Sequence, residues 1–224
     1  MITLDAIQNF GEYIVVDAKK PLRTFSSAMH NPGYGEYQYF INRTVTKAYN
    51  PPDAHEEMRQ FVESKGYPLD QTVAMMTAVD MDFAFKRVYE DGDTSIVIFL
   101  TAGLGNCVDV TQSHNYFYNK SPGTINIFIF INGKMTDESL IQALCCAVEV
   151  KTKILVERKM LDPNSKTIAT GTSTDSICIA STQEGEFHEF AGSITKMGSL
   201  IGKGLYETLN LAVDEYIAFT KGKL

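Results

Sequence analysis

The chain has 224 residues, of which 44% are hydrophobic and 21% charged, and this ordinary globular composition excludes a disordered or fibrous protein. Acidic side chains outnumber basic ones by 27 to 20, which argues against a general binder of nucleic-acid backbones, because that affinity comes from clustered Lys and Arg. The length fits one large domain, and we expect a single domain over residues 1–224.

The four cysteines and four histidines form no metal or redox motif in the sequence. Because the cysteines lack CxxC spacing and the histidines stand singly, the sequence predicts no metal and no cofactor. The longest apolar runs, 96–100 and 127–131, are too short to cross a membrane. No basic region followed by an apolar stretch opens the chain, so we expect a cytoplasmic protein with neither membrane nor nucleic acid as partner. A homo-oligomer remains open.

The first third of the chain mixes strand patterns with turn residues. Segments 13–16 and 38–41 are rich in β-forming residues and predict two strands. Two prolines and Asp53 then predict the start of a short helix, because Asp53 can accept from the N–H groups of the first turn. Residues 72–89 are rich in Val, Met and Phe, and predict two strands with a bend at 79–80.

The middle of the chain contains the most apolar strand patterns. Asp91-Gly92 predicts a hairpin turn, and 95–100 is apolar enough to be a strand buried on both faces. Residues 124–131 predict a second central strand. After a Pro-containing turn, 167–170 and 176–181 predict two more strands of the same sheet.

Two long amphipathic helices are predicted, one capped by Thr136 and one opened by Thr195. The predicted apolar face of the first consists of Leu140, Ile141, Leu144, Cys145, Val148, Leu155 and Val156. The predicted apolar face of the second consists of Met197, Leu200, Ile201, Leu205, Leu209, Ala212, Tyr216 and Phe219. Because each apolar face needs a partner, we predict an α+β fold in which a mixed β-sheet core is covered by these two helices and the shorter one.

Three loops beside apolar strands are dense in Gly, Ser, Thr, Asn and Asp, namely 101–106, 121–126 and 171–175. Glycines in the first let backbone N–H groups approach a ligand, although a plain turn explains them as well. In the second, the amide of Asn126 in an apolar strand indicates either a structural network or the wall of a polar pocket. In the third, Asp175 can serve as base, capping acceptor or cation ligand, or belong to an ordinary turn.

Strand-end loops bring distant positions of a chain together. Each of the four residues Asn106, Asn126, Thr174 and Asp175 carries more polarity than its local structure requires. We therefore expect these four side chains to converge on one cleft.

Read together, these segments resemble the adenosylcobinamide amidohydrolase family of corrinoid salvage. The matching words in chain order are INRTV (41–45), MTAVD (76–80), TAGLGN (101–106), PGTINI (122–127), AVEVKT (147–152), ATGTSTD (169–175) and AGSITKMG (191–198). Each of these short motifs is weak evidence by itself, but seven motifs in the same order over most of the chain are a specific signal of the family.

The resemblance implies hydrolysis of the amide that joins a corrinoid side chain to aminopropanol, with adenosylcobyric acid and 1-amino-2-propanol as products. Such a reaction needs a base, donors to an oxyanion and a proton for the leaving amine. The resemblance suggests Asp175 or Glu149 as base, and Asn106, Asn126 and backbone N–H groups of the glycine loops as oxyanion donors. Thr172 or Thr174 would be the nucleophile in a covalent reaction. The residues it suggests for binding the corrinoid substrate are Asn42, Arg43, Gly103, Gly105, Thr124, Asn126, Lys151, Ser173 and Lys196.

Two other functions stay open on the sequence alone. The first is a non-catalytic corrinoid-binding or regulatory protein, which would keep the pocket without turnover. The second is an unrelated hydrolase with an N-terminal or internally exposed threonine nucleophile, and self-cleavage before a threonine would be visible in the intact mass.

Overall fold

The computed structural model describes residues 1–115 and 123–221. The predicted loop 121–126 therefore lies partly outside the described residues. The strands are β1 (Ile7–Asn9), β2 (Tyr13–Ser26), β3 (Gly33–Thr44), β4 (Thr72–Thr77), β5 (Phe85–Asp91), β6 (Thr94–Ala102), β7 (Cys107–Val108), β8 (Ile125–Asn132), β9 (Lys134–Met135), β10 (Gly171–Thr172), β11 (Ser176–Ser181) and β12 (Phe187–His188). The helices are α1 (Ala54–Ser64), α2 (Asp137–Glu157) and α3 (Lys196–Lys221).

Eight of these strands form one mixed sheet with the order β4-β3-β2-β11-β8-β6-β5, and β1 pairs with β2. The pairs β3–β4 and β8–β11 are parallel, whereas the other pairs of this sheet are antiparallel. Two small ribbons, β7–β10 and β9–β12, lie beside it. The predicted α+β fold, a single domain with a mixed sheet, is confirmed.

Side-chain alternation along the strands separates two cores. On β8, Ile127 and Ile129 face α2 and α3, while Phe128 and Phe130 face the opposite side of the sheet. On that opposite side the rings of Phe40 in β3 and Phe130 lie 5.0 Å apart, although β2 and β11 separate their strands in the sheet. The sheet therefore curves until its concave face encloses an aromatic core of its own.

The predicted helix starts are confirmed by their caps. The Asp53 side chain accepts from two backbone N–H groups of α1, and the Thr136 hydroxyl accepts from Ser139 N at the start of α2. The Thr195 hydroxyl accepts from Gly198 N at 3.0 Å. Hydroxyl and carboxylate caps satisfy the N–H groups that a first helical turn leaves without partners, so short local patterns were enough to predict them.

The predicted apolar face of α2 is wrong by part of a turn. Ile141, Cys145, Val148 and Val156 are exposed. The buried face instead consists of Ser139, Leu140, Ala143, Cys146, Ala147, Lys151, Ile154 and Leu155. Small side chains at 143 and 147 let the helix approach the sheet closely, and a buried lysine on the same face was not foreseen.

The predicted strand 167–170 is also wrong. The segment forms one isolated bridge, from Ile168 to Leu161, and takes no part in the main sheet. Its polar groups bind locally instead, since the Thr167 hydroxyl donates to Asp109 at 2.6 Å and the Thr167 carbonyl accepts from Asp162 N at 3.0 Å. Side-chain bonding of this kind competes with sheet pairing.

Candidate active site

A buried ion pair joins α2 to the loop between β10 and β11. The Lys151 ammonium binds the Asp175 carboxylate, and the two side chains are 10% and 9% exposed. Asp175 also accepts from Thr172 N at 2.9 Å, from the Thr172 hydroxyl at 2.5 Å and from Ile125 N at 2.9 Å. The carboxylate is thus fixed by four donors from three parts of the chain.

Glycine at position 171 makes this arrangement fit. A Cβ at Gly171 would lie 2.7 Å from Asp175 Oδ2 and 2.8 Å from Lys151 Nζ, closer than a real Cβ contact allows. Lys151 reaches the pair because it lies on the buried face of α2. The polar segment 171–175 therefore forms a turn around the ion pair. Gly171 leaves room for it, Thr172 donates a hydrogen bond to it, and Asp175 supplies its carboxylate.

A polar layer covers one end of the aromatic core on the concave side of the sheet. The Asn126 amide donates to Asn42 Oδ1 at 2.8 Å and to the Met76 carbonyl at 2.9 Å. The Asn42 amide donates in turn to the Thr101 hydroxyl at 3.0 Å. These groups are fully buried, so the Asn126 amide belongs to a structural network directly beneath the neighbouring cleft.

Asn106 and Thr174, the other two residues that were predicted to converge on one cleft, lie beside this layer. The Asn106 amide donates to the Ser173 hydroxyl at 2.7 Å. The Thr124 hydroxyl lies 2.8 Å from the Thr174 carbonyl and 3.1 Å from Asn126 Oδ1, both of which it can donate to. The structure thus brings Asn106, Asn126, Thr174 and Asp175 together.

A two-lobed cleft opens at this end of the sheet. One lobe, here called the hydroxyl lobe, has a volume of about 230 Å³ and an apolar part formed by residues such as Met29, Val45 and Met76. Its hydroxyl side chains include those of Thr77, Thr124, Thr174 and Ser176. The aromatic lobe is lined by Phe83, Phe85, Tyr216 and Phe219, and has a volume of about 390 Å³. Lys47, Ala78 and Gly123 line both lobes, so the two are continuous.

The one cysteine beside the ion pair does not suit nucleophilic chemistry. Burial, together with the charge of Asp175, raises the pKa of the Cys107 thiol to about 12. A thiol needs a lowered pKa to attack as thiolate at neutral pH. Of the two predicted threonine hydroxyls, that of Thr172 donates to the Asp175 carboxylate, whereas that of Thr174 donates to the Gly123 carbonyl at 2.9 Å.

A sequence profile of the adenosylcobinamide amidohydrolase family matches residues 2–221. The chain belongs to this family. An adenosylcobinamide amidohydrolase of Methanosarcina mazei is 25% identical over 186 residues, which cover 82% of this chain and 86% of that protein. The family points to hydrolysis of an amide.

Two further similarities extend over most of the chain. An uncharacterized ABC transporter ATP-binding protein of Bacillus subtilis is 26% identical over 201 residues, covering 90% of this chain and 36% of that protein. A crystal structure of a Pyrococcus horikoshii protein superposes with a TM-score of 0.44 at 10% identity, covering 93% of this chain and 77% of that chain.

Among residues 1–115 and 123–221, no group of three or more His, Cys, Asp and Glu side chains could hold a metal ion. Within the same residues, no helix is long and apolar enough to span a membrane.

The glycines of the loop 101–106 lie at the cleft. Gly103 and Gly105 both line the aromatic lobe. A Cβ at Gly103 would lie 2.9 Å from Val79 Cγ2, so a bare backbone at this position keeps the loop against the lobe wall. These two predicted binding residues therefore border space that a ligand can occupy.

Arg43 lies near the cleft, behind the loop that lines it. Its guanidinium donates to both oxygens of Glu57 at 2.7 Å and stacks 4.1 Å from the Phe61 ring centre. The Tyr49 hydroxyl donates to the same carboxylate at 2.5 Å. Burial opposes the charge of Glu57, but the bonds from Tyr49 and Arg43 hold its pKa below the ordinary value. Arg43 thus anchors Tyr49, which lines the hydroxyl lobe.

The structure does not bring Glu149 and Lys196 to this cluster. Glu149 is exposed on α2, two residues from Lys151 and so on the opposite side of the helix. Lys196 pairs with Glu186 at 2.5 Å and lies beside Gly92, in the hairpin turn at the far end of β6.

Apart from Gly103 and Gly105, sequence reasoning missed the residues of the aromatic lobe. Its walls come from the turn after β4, from β5 and from the last turns of α3, which are far apart in the chain. One signal was available, because the word MTAVD (76–80) contributes Ala78, Val79 and Asp80 to this lobe. Lys47 and Tyr49, which line the hydroxyl lobe, carried no such signal.

Proposed function

We propose that the chain hydrolyses adenosylcobinamide at the amide that holds 1-amino-2-propanol, and releases adenosylcobyric acid in the salvage of cobalamin precursors. The observation that supports this most directly is the family match over residues 2–221, which includes every segment that forms the cleft. The M. mazei relative of that name, alignable over most of both chains, supports the same substrate.

The cluster beside the hydroxyl lobe offers the groups that amide hydrolysis needs. We assign Thr172 as nucleophile and Asp175 as base, because the Thr172 hydroxyl donates to Asp175 Oδ1 at 2.5 Å. Attack of Thr172 on the amide carbon breaks the carbon–nitrogen bond, and the leaving amine takes up a proton. Water then cleaves the resulting ester and returns the hydroxyl.

Lys151 and the polar layer have supporting roles in this proposal. The Lys151 ammonium lies against the carboxylate and supplies the proton that the leaving amine needs. Asn126 positions Thr124 and Asn106 positions Ser173, while the Thr174 hydroxyl donates to the Gly123 carbonyl at 2.9 Å. Thr124 and Thr174 line the hydroxyl lobe, and on substrate binding either hydroxyl can turn its proton from these protein acceptors to the amide oxygen.

The deciding experiment is a product assay by mass spectrometry on purified protein. Adenosylcobinamide should yield equal amounts of 1-amino-2-propanol and adenosylcobyric acid, and Asp175→Asn should lower the rate by about 10²–10⁴ if Asp175 is the base. Non-adenosylated cobinamide is run in parallel. Protein that is folded, binds the corrinoid and releases no amine would contradict the proposal.

One observation favours a second candidate, a corrinoid-binding protein without turnover. Asp175 already accepts four hydrogen bonds, including one from Lys151, and a carboxylate held this way can be purely structural. The two candidates differ in one measurement, because a binder changes the corrinoid absorption spectrum without releasing a primary amine.

A further inference from the structure

The aromatic lobe adjoins the hydroxyl lobe and has apolar aromatic walls. Four rings of the described residues line it, and those of Phe83 and Phe219 lie 5.4 Å apart at an interplanar angle of 58°. Aromatic walls bind planar heteroaromatic groups by stacking, and this interaction does not depend on a particular base. The lobe therefore suits a flat ring system. Cleavage of the amide, which we assign to groups beside the hydroxyl lobe, does not itself need such a ring.

The charged groups at the lobe define the ligand further. The carboxylates of Asp80 and Glu215 line it, and among the described lining residues Lys47, at the junction with the hydroxyl lobe, is the single cation. Carboxylates accept from ribose hydroxyls and from exocyclic amino groups. They repel phosphate, since like charges at close range are unfavourable. The lobe is thus suited to a neutral nucleoside and poorly suited to a nucleotide.

Tyr216 adds a hydrogen-bond donor to the same walls. Burial raises the pKa of its hydroxyl, with a smaller contribution from Cys107. The hydroxyl therefore keeps its proton at neutral pH and can donate to a ring nitrogen.

We propose that the aromatic lobe is a nucleoside subsite that holds the adenosyl group of the substrate as an uncharged adenine nucleoside. The proposal rests on the proposed function, because the corrinoid must place its reacting amide in the hydroxyl lobe while its adenosyl group occupies the adjoining one. The shared lining residues Lys47, Ala78 and Gly123 make such a continuous fit available.

The test uses free 5′-deoxyadenosine, titrated into the purified full chain and followed by ligand NMR. Phe85→Ala should weaken its binding by at least about fivefold, as expected for loss of one stacking surface. The matched control is Phe190→Ala, which removes an exposed ring outside the lobe and should leave binding unchanged. Equal binding by wild type and Phe85→Ala overturns the proposal.

A second variant keeps the test valid if Phe85→Ala does not fold. Glu215 is exposed on α3, so Glu215→Lys should preserve the fold while reversing one charge at the lobe. Wild-type protein should bind adenosine 5′-monophosphate several-fold more weakly than 5′-deoxyadenosine, and Glu215→Lys should reduce or abolish this preference. A nucleotide bound as tightly as the nucleoside by wild type contradicts the proposal.

Amine release separates failure of the subsite from failure of the proposed function. Excess 5′-deoxyadenosine should raise KM for adenosylcobinamide and leave kcat unchanged, while hydrolysis of non-adenosylated cobinamide is unaffected. Hydrolysis that proceeds without any effect of 5′-deoxyadenosine overturns the subsite alone. Absence of hydrolysis from a protein with Phe85-dependent nucleoside binding overturns the proposed function alone.

Discussion

The two ends of strand β8 each contain a buried asparagine, and the two side chains bind different parts of the structure. At one end Asn132 accepts from Ile2 N at 2.6 Å and donates to the Ile2 carbonyl at 2.9 Å and to Ser95 at 2.8 Å. At the other end Asn126 binds Asn42 and the Met76 carbonyl beneath the cleft. The first holds the N-terminal segment against the sheet, whereas the second lies beneath the cleft that we propose as the substrate site.

The same contrast holds for two lysines that the sequence suggested for substrate binding. Lys151 and Asp175 form a pair that is about one-tenth exposed, at the cleft end of the sheet. Lys196 and Glu186 form a pair that is about one-third exposed, at the Asn132 end. A polar residue inside an apolar pattern therefore does not reveal its role, because the role depends on which end of the sheet it occupies.

The largest expected effect is a loss of amine release when the proposed nucleophile, at the cleft end of the sheet, is replaced. Thr172→Val should lower amine release by about 10²–10⁴, because the hydroxyl that donates to Asp175 is lost while the methyl groups keep the volume. Thr172→Ser retains a hydroxyl and should keep most of the rate. Near-normal release by a folded Thr172→Val protein would move the attacking role to water.

The next effect compares the two lysines directly. Lys151→Met should destabilise the fold by about 3 kcal/mol, because it leaves the buried Asp175 carboxylate without its cation, and should also abolish turnover. Lys196→Met should change melting temperature and turnover little, because exposed ion pairs contribute weakly. Thermal unfolding and amine release measured on both variants test the contrast. Loss of turnover in a stable Lys196→Met protein would return Lys196 to the site.

The sequence predicted best what local patterns determine. Asp53 and Thr136 were predicted as helix caps and Thr195 as the start of the last helix, and all three side chains accept the bonds that a cap requires. The strands at 95–100 and 176–181 were also predicted, since apolar β-forming runs of that length have few alternatives.

What depends on tertiary packing was not predictable from the pattern. The structure buries the face of helix α2 that contains Lys151, and the Asp175 carboxylate offsets the cost of burying this ammonium. Segment 167–170 has strand composition, but the Thr167 hydroxyl binds Asp109, which is distant in sequence, and the Thr167 carbonyl binds Asp162, which is close. Neither contact can be predicted from the hydrophobic periodicity of the sequence. The aromatic lobe likewise exists only once α3 packs beside β5 and β6.

A smaller effect tests the two asparagines. Asn132→Ala should cost about 1–3 kcal/mol, because the backbone groups of Ile2 lose their buried partners, yet leave turnover per folded molecule unchanged. Asn126→Ala should cost a similar free energy of unfolding and also lower turnover, because Thr124 loses the amide that positions it. Denaturant titration and amine release on the same samples separate the effects. Equal turnover in both variants would contradict a binding role for the Asn126 end.

The smallest effect is a pH dependence confined to the Asn132 end. Burial, outweighing the nearby Glu186 carboxylate and assisted by Lys196, holds the pKa of His188 below its ordinary value of 6.5. The folded chain therefore keeps this ring neutral while the unfolded chain takes up a proton, so stability falls as pH drops below about 6.5 and the loss ends at the folded pKa.

Between pH 7 and 5.5 the melting temperature of His188→Asn should fall less than that of wild type, whereas His114→Asn, at an exposed position, should follow wild type. Because His188 lies 3.2 Å from Thr94 at the start of β6, far from Thr101 at the cleft, the pH profile of amine release should be the same in His188→Asn and wild type. A shifted activity profile would show that the two ends of the sheet are coupled.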